Sequence, residues 1–126
     1  MEKAKKILKE VFGYDSFRSL QHEIIENVLN RKDSLVIMPT GGGKSICYQV
    51  PALIFEGLTI VISPLISLMK DQVEQLRQLG VNTALLNSSL SRDVYQKNFE
   101  SVKNGKAKLL YLAPESLVKD DISKLL

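Results

Sequence analysis

The sequence is poor in cysteine and histidine and has no long apolar run. Its 126 residues include one cysteine, one histidine and no tryptophan. A single cysteine, Cys47, excludes an intrachain disulfide and a cysteine-based metal cluster, and the lone His22 excludes a histidine metal site. We interpret Cys47 as a packing residue and His22 as a solvated residue of a helix. Apolar runs of a few residues exclude a membrane-spanning helix, and the charged N-terminus lacks the apolar core of a signal peptide. We therefore expect a soluble, cytoplasmic protein.

Composition predicts one globular domain over residues 1–126, with a single core and no second domain. Hydrophobic residues make up 44% of the chain and charged residues 25%, which is typical of a folded domain of this length. The formal charge of +3 and the isoelectric point near 9.0 are mildly basic. Such a charge is compatible with a polyanionic partner but does not identify one.

Short apolar runs alternate with segments of helical periodicity along most of the chain. The runs predict buried strands at 35–37, 58–62, 83–86 and 109–112. The periodic segments predict helices at 4–12, 17–30, 44–55, 66–79 and 94–103, with a last helix from Pro114. Asp15 or Ser16 is expected to cap the second helix, and Ser91 the fifth. This alternation predicts an α/β fold with a four-stranded parallel sheet and helices on both faces.

A glycine-rich stretch between the first predicted strand and its following helix predicts a phosphate site. Three glycines let the backbone approach phosphate oxygens, Lys44 can reach the β- and γ-phosphates, and the Ser45 hydroxyl can join a Mg²⁺ shell. We predict Lys44 and Ser45 as the catalytic pair, with Ser45 as the metal ligand. The predicted phosphate-binding residues are Pro39, Thr40, Gly41, Gly42, Gly43, Lys44 and Ser45. Met38 departs from the usual pattern, which has glycine there. The alternative is a glycine-rich turn with an incidental Lys-Ser pair.

The polar segments that follow the predicted strands carry further candidate residues. Ligands in open parallel sheets bind at the carboxyl ends of the strands. The segments 39–45, 63–67, 87–91 and 113–116 occupy those positions in the sequence. We expect all four to line one edge of the sheet.

Several motifs, in a fixed order, resemble those of the RecQ family of superfamily 2 DNA helicases. The residues that carry the resemblance are Phe12-Gly13-Tyr14, Phe17-Arg18, Gln21, 38–45 with Cys47-Tyr48-Gln49, 63–72 and 111–115. Met38 agrees with the P-loop of that family, whereas Ser19 stands where many members have proline. The resemblance implies a RecA-like P-loop NTPase fold, with ATP and Mg²⁺ as cofactors.

The resemblance also implies roles for residues outside the P-loop. In the family the first motif holds adenine, so the ring would stack on Tyr14 and Arg18 and its edge would pair with Gln21. A DNA-binding surface would be carried by Ser63, Pro64, Ser67, Lys70 and Asn87. The alternative for Lys70 is a solvated helix residue. Glu115 is expected to order its loop and not to contact a phosphate.

Parts of the family pattern are missing from the 126 residues. No Asp-Glu-x-His motif is present, so the fold would be truncated before the Walker B strand that carries it, leaving an unpaired sheet edge. The second RecA-like domain and the zinc-binding and winged-helix regions are missing too. The resemblance thus implies the N-terminal portion of the first motor domain.

The function implied is the ATP-binding part of an enzyme that couples ATP hydrolysis to translocation on DNA and its unwinding. Such helicases act in DNA repair and recombination, on single-stranded and duplex DNA, at the bacterial nucleoid. We expect this portion alone to bind nucleotide without efficient turnover. The alternative is a non-catalytic nucleotide- or DNA-binding module. A GTPase or small-molecule kinase is disfavoured because the chain lacks an Asn-Lys-x-Asp guanine motif.

Overall fold

Helices make up the regular structure of the first part of the chain, and the sheet lies in the second. The computed structural model describes residues 1–18, 20–38 and 43–125. These residues separate into two units, Met1–Glu56 and Gly57–Leu126. Each unit has its own apolar cluster, and each is described separately below.

The first unit contains three helices, α1 (Glu2–Glu10), α2 (Gln21–Leu29) and α3 (Ile46–Ile54). Residues four apart on a helix lie on the same face. This spacing brings two residues of α1 and two of α3 together with one residue of α2. The buried cluster consists of Ala4, Leu8, Ile25, Ile46 and Val50.

Helix α2 begins four residues later than the sequence predicted. Leu20, which was expected inside the helix, has φ 73° and is the residue that precedes α2. A left-handed residue interrupts a right-handed helix, so the predicted caps at Asp15 and Ser16 are wrong. In this region Ile25 is fully buried, whereas Leu20 is half exposed.

The predicted strand at 35–37 is absent, which corrects the expectation of a four-stranded sheet. Leu35 and Ile37 are 93% and 89% exposed, and the described part of the chain contains three strands. A strand forms only where a neighbouring backbone supplies its hydrogen bonds. No described residue pairs with this run, so its apolar character alone does not make it a strand.

The second unit is a parallel three-stranded sheet with helices. Its strands are β1 (Thr59–Ile62), β2 (Thr83–Leu86) and β3 (Leu109–Leu112), in the order β1-β3-β2. Thr59 and Thr83 both align with Leu109, so the strand ends are in register. Its helices are α4 (Ile66–Gln78), α5 (Arg92–Lys103) and α6 (Asp120–Leu125), with a 3₁₀ turn at Pro114–Val118. The α/β parallel fold expected from the sequence is therefore confirmed.

Strands β2 and β3 are buried on both faces. Side chains alternate across a strand, and Leu86 and Leu112 share one cluster with Val102 of α5 and Ile122 of α6. Helix α4 also contacts β2. The buried residues of α4 include Met69. None of them belongs to the cluster that contains Val102 and Ile122. Helix α4 is therefore assigned to the face of the sheet opposite that cluster.

Arg77 connects α4 to β2 and α5. Its Nε donates to the carbonyl oxygen of Thr83 at 3.0 Å, and a terminal nitrogen donates to Oδ1 of Asn98 at 3.3 Å. Asn98 in turn donates from Nδ2 to the carbonyl oxygen of Leu85 at 2.9 Å. The guanidinium therefore fixes the C-terminal end of α4 to the sheet.

Candidate functional site

Gln21 links the start of α2 to the last glycine of the predicted phosphate loop. Its Nε2 donates to the carbonyl oxygen of Gly43 at 3.1 Å, while its Oε1 accepts from the backbone N–H of Arg18 at 2.7 Å. The side chain is only 3% exposed. Both ends of the carboxamide are thus bonded to the protein, one of them to the loop predicted to hold phosphate.

Gly43 has a backbone conformation that favours glycine and lies against the side chain of Gln21. Its φ is +81°, which disfavours any residue with a Cβ. A Cβ at this position would also collide with Nε2 of Gln21 and lie 3.9 Å from Cδ of Arg18. The sequence predicted Gly43 as a phosphate ligand, but it did not predict this packing against the adenine motif.

The backbone after Gly43 presents unpaired donors at the start of α3. Across the described residues, the N–H groups of Lys44, Ser45 and Ile46 have no acceptor. Ser45 precedes α3, but its hydroxyl does not cap the helix, and Lys44 is exposed. Free amides at a helix N-terminus with a lysine beside them favour an anion. An anion such as a phosphate therefore fits the described backbone at the start of α3.

Tyr14 and Cys47 also lie in the first unit. Tyr14 follows Gly13, whose φ is +78°, and is 52% exposed, so part of the residue is accessible to solvent. Cys47 is buried with its Sγ 3.9 Å from the carbonyl oxygen of Gly43. Burial raises the pKa of the Cys47 thiol, which keeps it protonated and agrees with a packing role.

Four of the predicted phosphate-binding residues, at 39–42, lie outside the described residues. The structure brings together Arg18, Gln21 and Gly43. The nucleotide-binding roles of all these residues remain predictions. What the sequence could not supply is that Gln21 contacts Gly43, because the two are 22 residues apart.

In the second unit, the predicted DNA-binding residues lie at the carboxyl edge of the sheet. Ser63 directly follows β1, and its hydroxyl accepts from the N–H of Leu65 at 3.2 Å. Pro64, Ser67 and Lys70 are exposed at the start of α4. Of the four predicted polar segments, those at 63–67, 87–91 and 113–116 follow the three strands of this unit, as expected for a parallel sheet.

Asn87 differs from the other predicted DNA-binding residues because its side chain is buried. It directly follows β2 and is 2% exposed, and its Oδ1 accepts from the N–H of Ser89 at 2.9 Å. Glu115 lies in the 3₁₀ turn and is exposed. The Asn87 side chain is thus almost inaccessible to solvent, unlike those of Pro64, Ser67 and Lys70.

Two classes of feature are missing from residues 1–18, 20–38 and 43–125. These residues contain no group of three or more side chains suited to hold a metal ion. None of their helices combines the length and the apolar character that crossing a bilayer requires.

Comparisons with known proteins identify the family of the chain. Residues 18–125 match the DEAD/DEAH box helicase family. The chain is 51% identical to ATP-dependent DNA helicase RecQ of Haemophilus influenzae over 98% of its own length and 20% of the relative. It is 50% identical to ATP-dependent DNA helicase RecQ of Bacillus subtilis, over 100% of the chain and 22% of the relative. It is also 50% identical to ATP-dependent DNA helicase Q1 of Mus musculus, over 93% of the chain and 18% of the relative.

The matches cover nearly all of this chain, but the chain spans only about a fifth of the length of these curated relatives. The resemblance to RecQ proteins seen in the sequence motifs is confirmed over nearly the whole chain. The chain is similar to RecQ helicases over nearly its whole length, and it belongs to the DEAD/DEAH box helicase family.

Proposed function

We propose that the protein is the ATP-binding part of a RecQ-like ATP-dependent DNA helicase, which couples ATP hydrolysis to translocation on DNA and to its unwinding. The observation that carries the proposal is the hydrogen bond from Gln21 to Gly43. It joins the motif expected to recognise adenine to the loop expected to bind phosphate. The relatives named above are ATP-dependent DNA helicases, which supports the same activity.

The phosphates would be held by the backbone at the start of α3. The N–H groups of Lys44, Ser45 and Ile46 would donate to phosphate oxygens, and the Lys44 ammonium would neutralise the β- and γ-phosphates. Mg²⁺, bound through the Ser45 hydroxyl and the phosphates, would supply further charge neutralisation. Residues 39–42 would complete the loop.

The base would be held by the turn before α2. Tyr14 is half exposed, so its ring is available to stack on a purine, and the Arg18 guanidinium would cover the opposite side. A carboxamide carries two N–H groups and two acceptor lone pairs. Gln21 could therefore keep its bonds to Arg18 and Gly43 while offering one donor and one acceptor to the adenine edge.

DNA would bind along the carboxyl edge of the sheet in the second unit. Ser63, Pro64, Ser67 and Lys70 would contact phosphates at the start of α4, and Asn87 would act from the loop after β2. Contacts to phosphate carry no sequence information. Such a surface suits an enzyme that moves along any strand of DNA.

The 126 residues alone are expected to bind nucleotide without efficient turnover. They contain no Asp-Glu-x-His motif to position water and Mg²⁺. An arginine finger from another domain, which contributes roughly 10³–10⁵ in rate in such enzymes, would also be needed. We therefore propose that residues 1–126 are the N-terminal portion of the first motor domain, working with C-terminal domains. As part of a bacterial helicase, the protein would act in the cytoplasm at the nucleoid.

A nucleotide competition and turnover experiment tests this function. ATP should displace a fluorescent ATP analogue from the chain far better than GTP, and Lys44→Ala should abolish binding while the circular dichroism spectrum is unchanged. Little phosphate should be released, with or without single-stranded DNA. Equal competition by GTP would reject adenine recognition. DNA-stimulated phosphate release that Lys44→Ala abolishes would show that these residues suffice for catalysis.

A non-catalytic nucleotide- or DNA-binding module is the second candidate. The absence of the acidic motif from the sequence favours it for this chain in isolation. Phosphate release from a longer chain that includes the following domains separates the two, since a module of this kind would remain inactive there.

A further inference from the structure

The two edges of the sheet in the second unit differ in whether side chains cover them. The strand order β1-β3-β2 leaves β1 at one edge and β2 at the other. The backbone groups of successive residues in a strand point to opposite sides. Those on the outer side of an edge strand can pair with another chain unless something covers them.

The outer edge of β2 is closed by two side chains. Nε of Arg77 donates to the carbonyl oxygen of Thr83 at 3.0 Å, and Nδ2 of Asn98 donates to that of Leu85 at 2.9 Å. Thr83 and Leu85 are two residues apart, so their carbonyls share one side of the strand. Both residues are buried. An added strand therefore cannot reach these acceptors.

The outer edge of β1 has no such cover. The N–H groups of Thr59 and Ser63 each donate to a carbonyl on the β3 side at 3.0 Å. Because the direction alternates along a strand, Ile60 and Ile62 point their N–H and C=O groups away from β3. No strand of the described residues pairs with that side. This edge thus offers two donors and two acceptors.

The same two residues carry exposed apolar side chains. Ile60 is 38% exposed and Ile62 49%, whereas their aligned neighbours Leu110 and Leu112 are fully buried in the apolar cluster of this unit. Aligned residues of neighbouring strands project to the same face. The apolar face of β3 therefore continues onto β1 and ends there uncovered. Residues 57–69 contain no charged residue, so the edge lacks the charges that commonly prevent strand pairing.

We propose that two copies of this chain associate through the outer edges of β1, antiparallel about a two-fold axis. Ile60 aligns with Ile62 of the partner subunit and exchanges two hydrogen bonds with it, while Val61 opposes its own counterpart. The four isoleucine side chains then lie on one face and cover one another. An uncharged edge meets its own copy without like-charge repulsion.

The closed edge of β2 limits this assembly to two copies. Each chain has one open edge in the described sheet, and pairing of that edge with its equivalent uses it completely. A second open edge would instead let the sheet grow further. The proposal rests on the sheet alone and does not depend on the helicase function.

Sedimentation equilibrium over a wide range of concentrations tests the association. The chain should show a monomer–dimer equilibrium without larger species. Ile62→Lys should weaken the dimer by about tenfold or more, because it replaces an apolar contact in both subunits with a charge at the edge. Leu35→Lys is the matched control, since Leu35 is 93% exposed and lies outside the sheet, and it should leave the dimer unchanged.

Oxidative cross-linking tests the antiparallel alignment, in chains that carry Cys47→Ala so that only the introduced thiol reacts. Two opposed Val61 residues would have Cα atoms about 4.5 Å apart, whereas two Ile60 residues would be about 9 Å apart, beyond the reach of a disulfide. Val61→Cys should therefore form a covalent dimer, and Ile60→Cys should not.

Three results would overturn the proposal. A chain that stays monomeric at every concentration would show that β1 edges do not pair. Species larger than a dimer would show that a second surface associates. A dimer that Leu35→Lys disrupts and Ile62→Lys leaves intact, with folded circular dichroism spectra for both, would assign the contact to the apolar run at 35–37. Cross-linking of Ile60→Cys in preference to Val61→Cys would reject the antiparallel alignment.

Discussion

Gln21 donates a hydrogen bond from Nε2 to the carbonyl oxygen of Gly43, 3.1 Å away and 22 residues later in the chain. The first residue of α2 is thereby bonded to the glycine that precedes the free amides of α3. A change at the residue proposed to recognise the base must therefore alter the backbone proposed to bind phosphate. If both residues have the proposed roles, base recognition and phosphate binding are coupled through this hydrogen bond.

Gln21→Ala should weaken ATP binding and lower the preference for ATP over GTP. The substitution removes both the donor to Gly43 and the proposed contact with the adenine edge, at a cost of about 1–3 kcal/mol for each unsatisfied partner. Competition titrations with ATP and GTP measure the two effects. Equal weakening for both nucleotides would mean that Gln21 supports the loop without reading the base.

Gln21→Glu should weaken ATP binding in competition titrations, because it removes the donor to Gly43 and the proposed donor to adenine while keeping the acceptor for Arg18. The substituted side chain has nearly the same shape and can still accept from Arg18, but an ionised carboxylate cannot donate to the Gly43 carbonyl. Glu23→Gln, on the same helix and exposed, is the matched control and should bind ATP normally.

Gly43→Ala should reduce both stability and ATP affinity. The added methyl group would meet the side chain of Gln21, and the residue would keep a φ of +81° that alanine disfavours by about 1–2 kcal/mol. Chemical denaturation and ATP titration measure the loss. Gly57→Ala is the control, since a Cβ there would meet no atom within 4 Å.

Combining Gly43→Ala with Gln21→Ala separates the two causes. Truncating Gln21 removes the collision but not the backbone strain, so the double variant should recover part of the stability lost in Gly43→Ala. No recovery would assign the whole effect to the backbone.

The Tyr95 hydroxyl should make stability depend on pH in the alkaline range. Burial, then the hydrogen bond to Asp121 and its negative charge, raise the pKa of Tyr95 to about 12. The unfolded chain releases this proton near pH 10. Because the folded pKa is the higher one, the contribution is complete below about pH 10 and is lost as the pH rises towards 12.

Urea denaturation from pH 9 to 12 measures this contribution. The free energy of unfolding should fall more steeply in the wild type than in Tyr95→Phe, which has no titrating hydroxyl. Asp121→Asn should show an intermediate slope, because burial of Tyr95 remains. Parallel curves for the wild type and Tyr95→Phe would contradict the expectation.

Lys70→Ala should lower the affinity for single-stranded DNA equally for all sequences. If Lys70 contacts one phosphate, its loss should reduce the slope of log K against log salt by about 1. Lys97→Ala, an exposed lysine of α5, should keep the wild-type slope. An unchanged slope in Lys70→Ala would identify Lys70 as a solvated helix residue.

Local sequence patterns predicted two of the strands and one helix cap correctly. Strands 83–86 and 109–112 have the bounds expected from their apolar runs, and Ser91 caps α5 as expected, accepting from the N–H of Val94. The run at 35–37 has the same apolar character but no described pairing partner. Strand formation depends on that partner, which the run itself does not encode.

The start of α2 and the packing of Gln21 could not be predicted for a related reason. Leu20 is apolar and fits the helical period, yet its left-handed conformation ends the turn before α2. Gln21 looks like an exposed polar residue at the start of a helix, and it is buried only because Gly43 lies against it.

The bonds made by Arg77 determine how α4 would respond mechanically to a load. The helix has 13 residues, hence a length of about 20 Å, and Arg77 fixes its last turn to β2 and to Asn98. A force applied at Ser67 or Lys70 would therefore turn the helix about a pivot at Arg77. Spin-label distances to α5 should change on DNA binding for a label at Ser67 and stay constant for one at Gln78. Equal displacement of both labels would mean that α4 slides as a whole, without such a pivot.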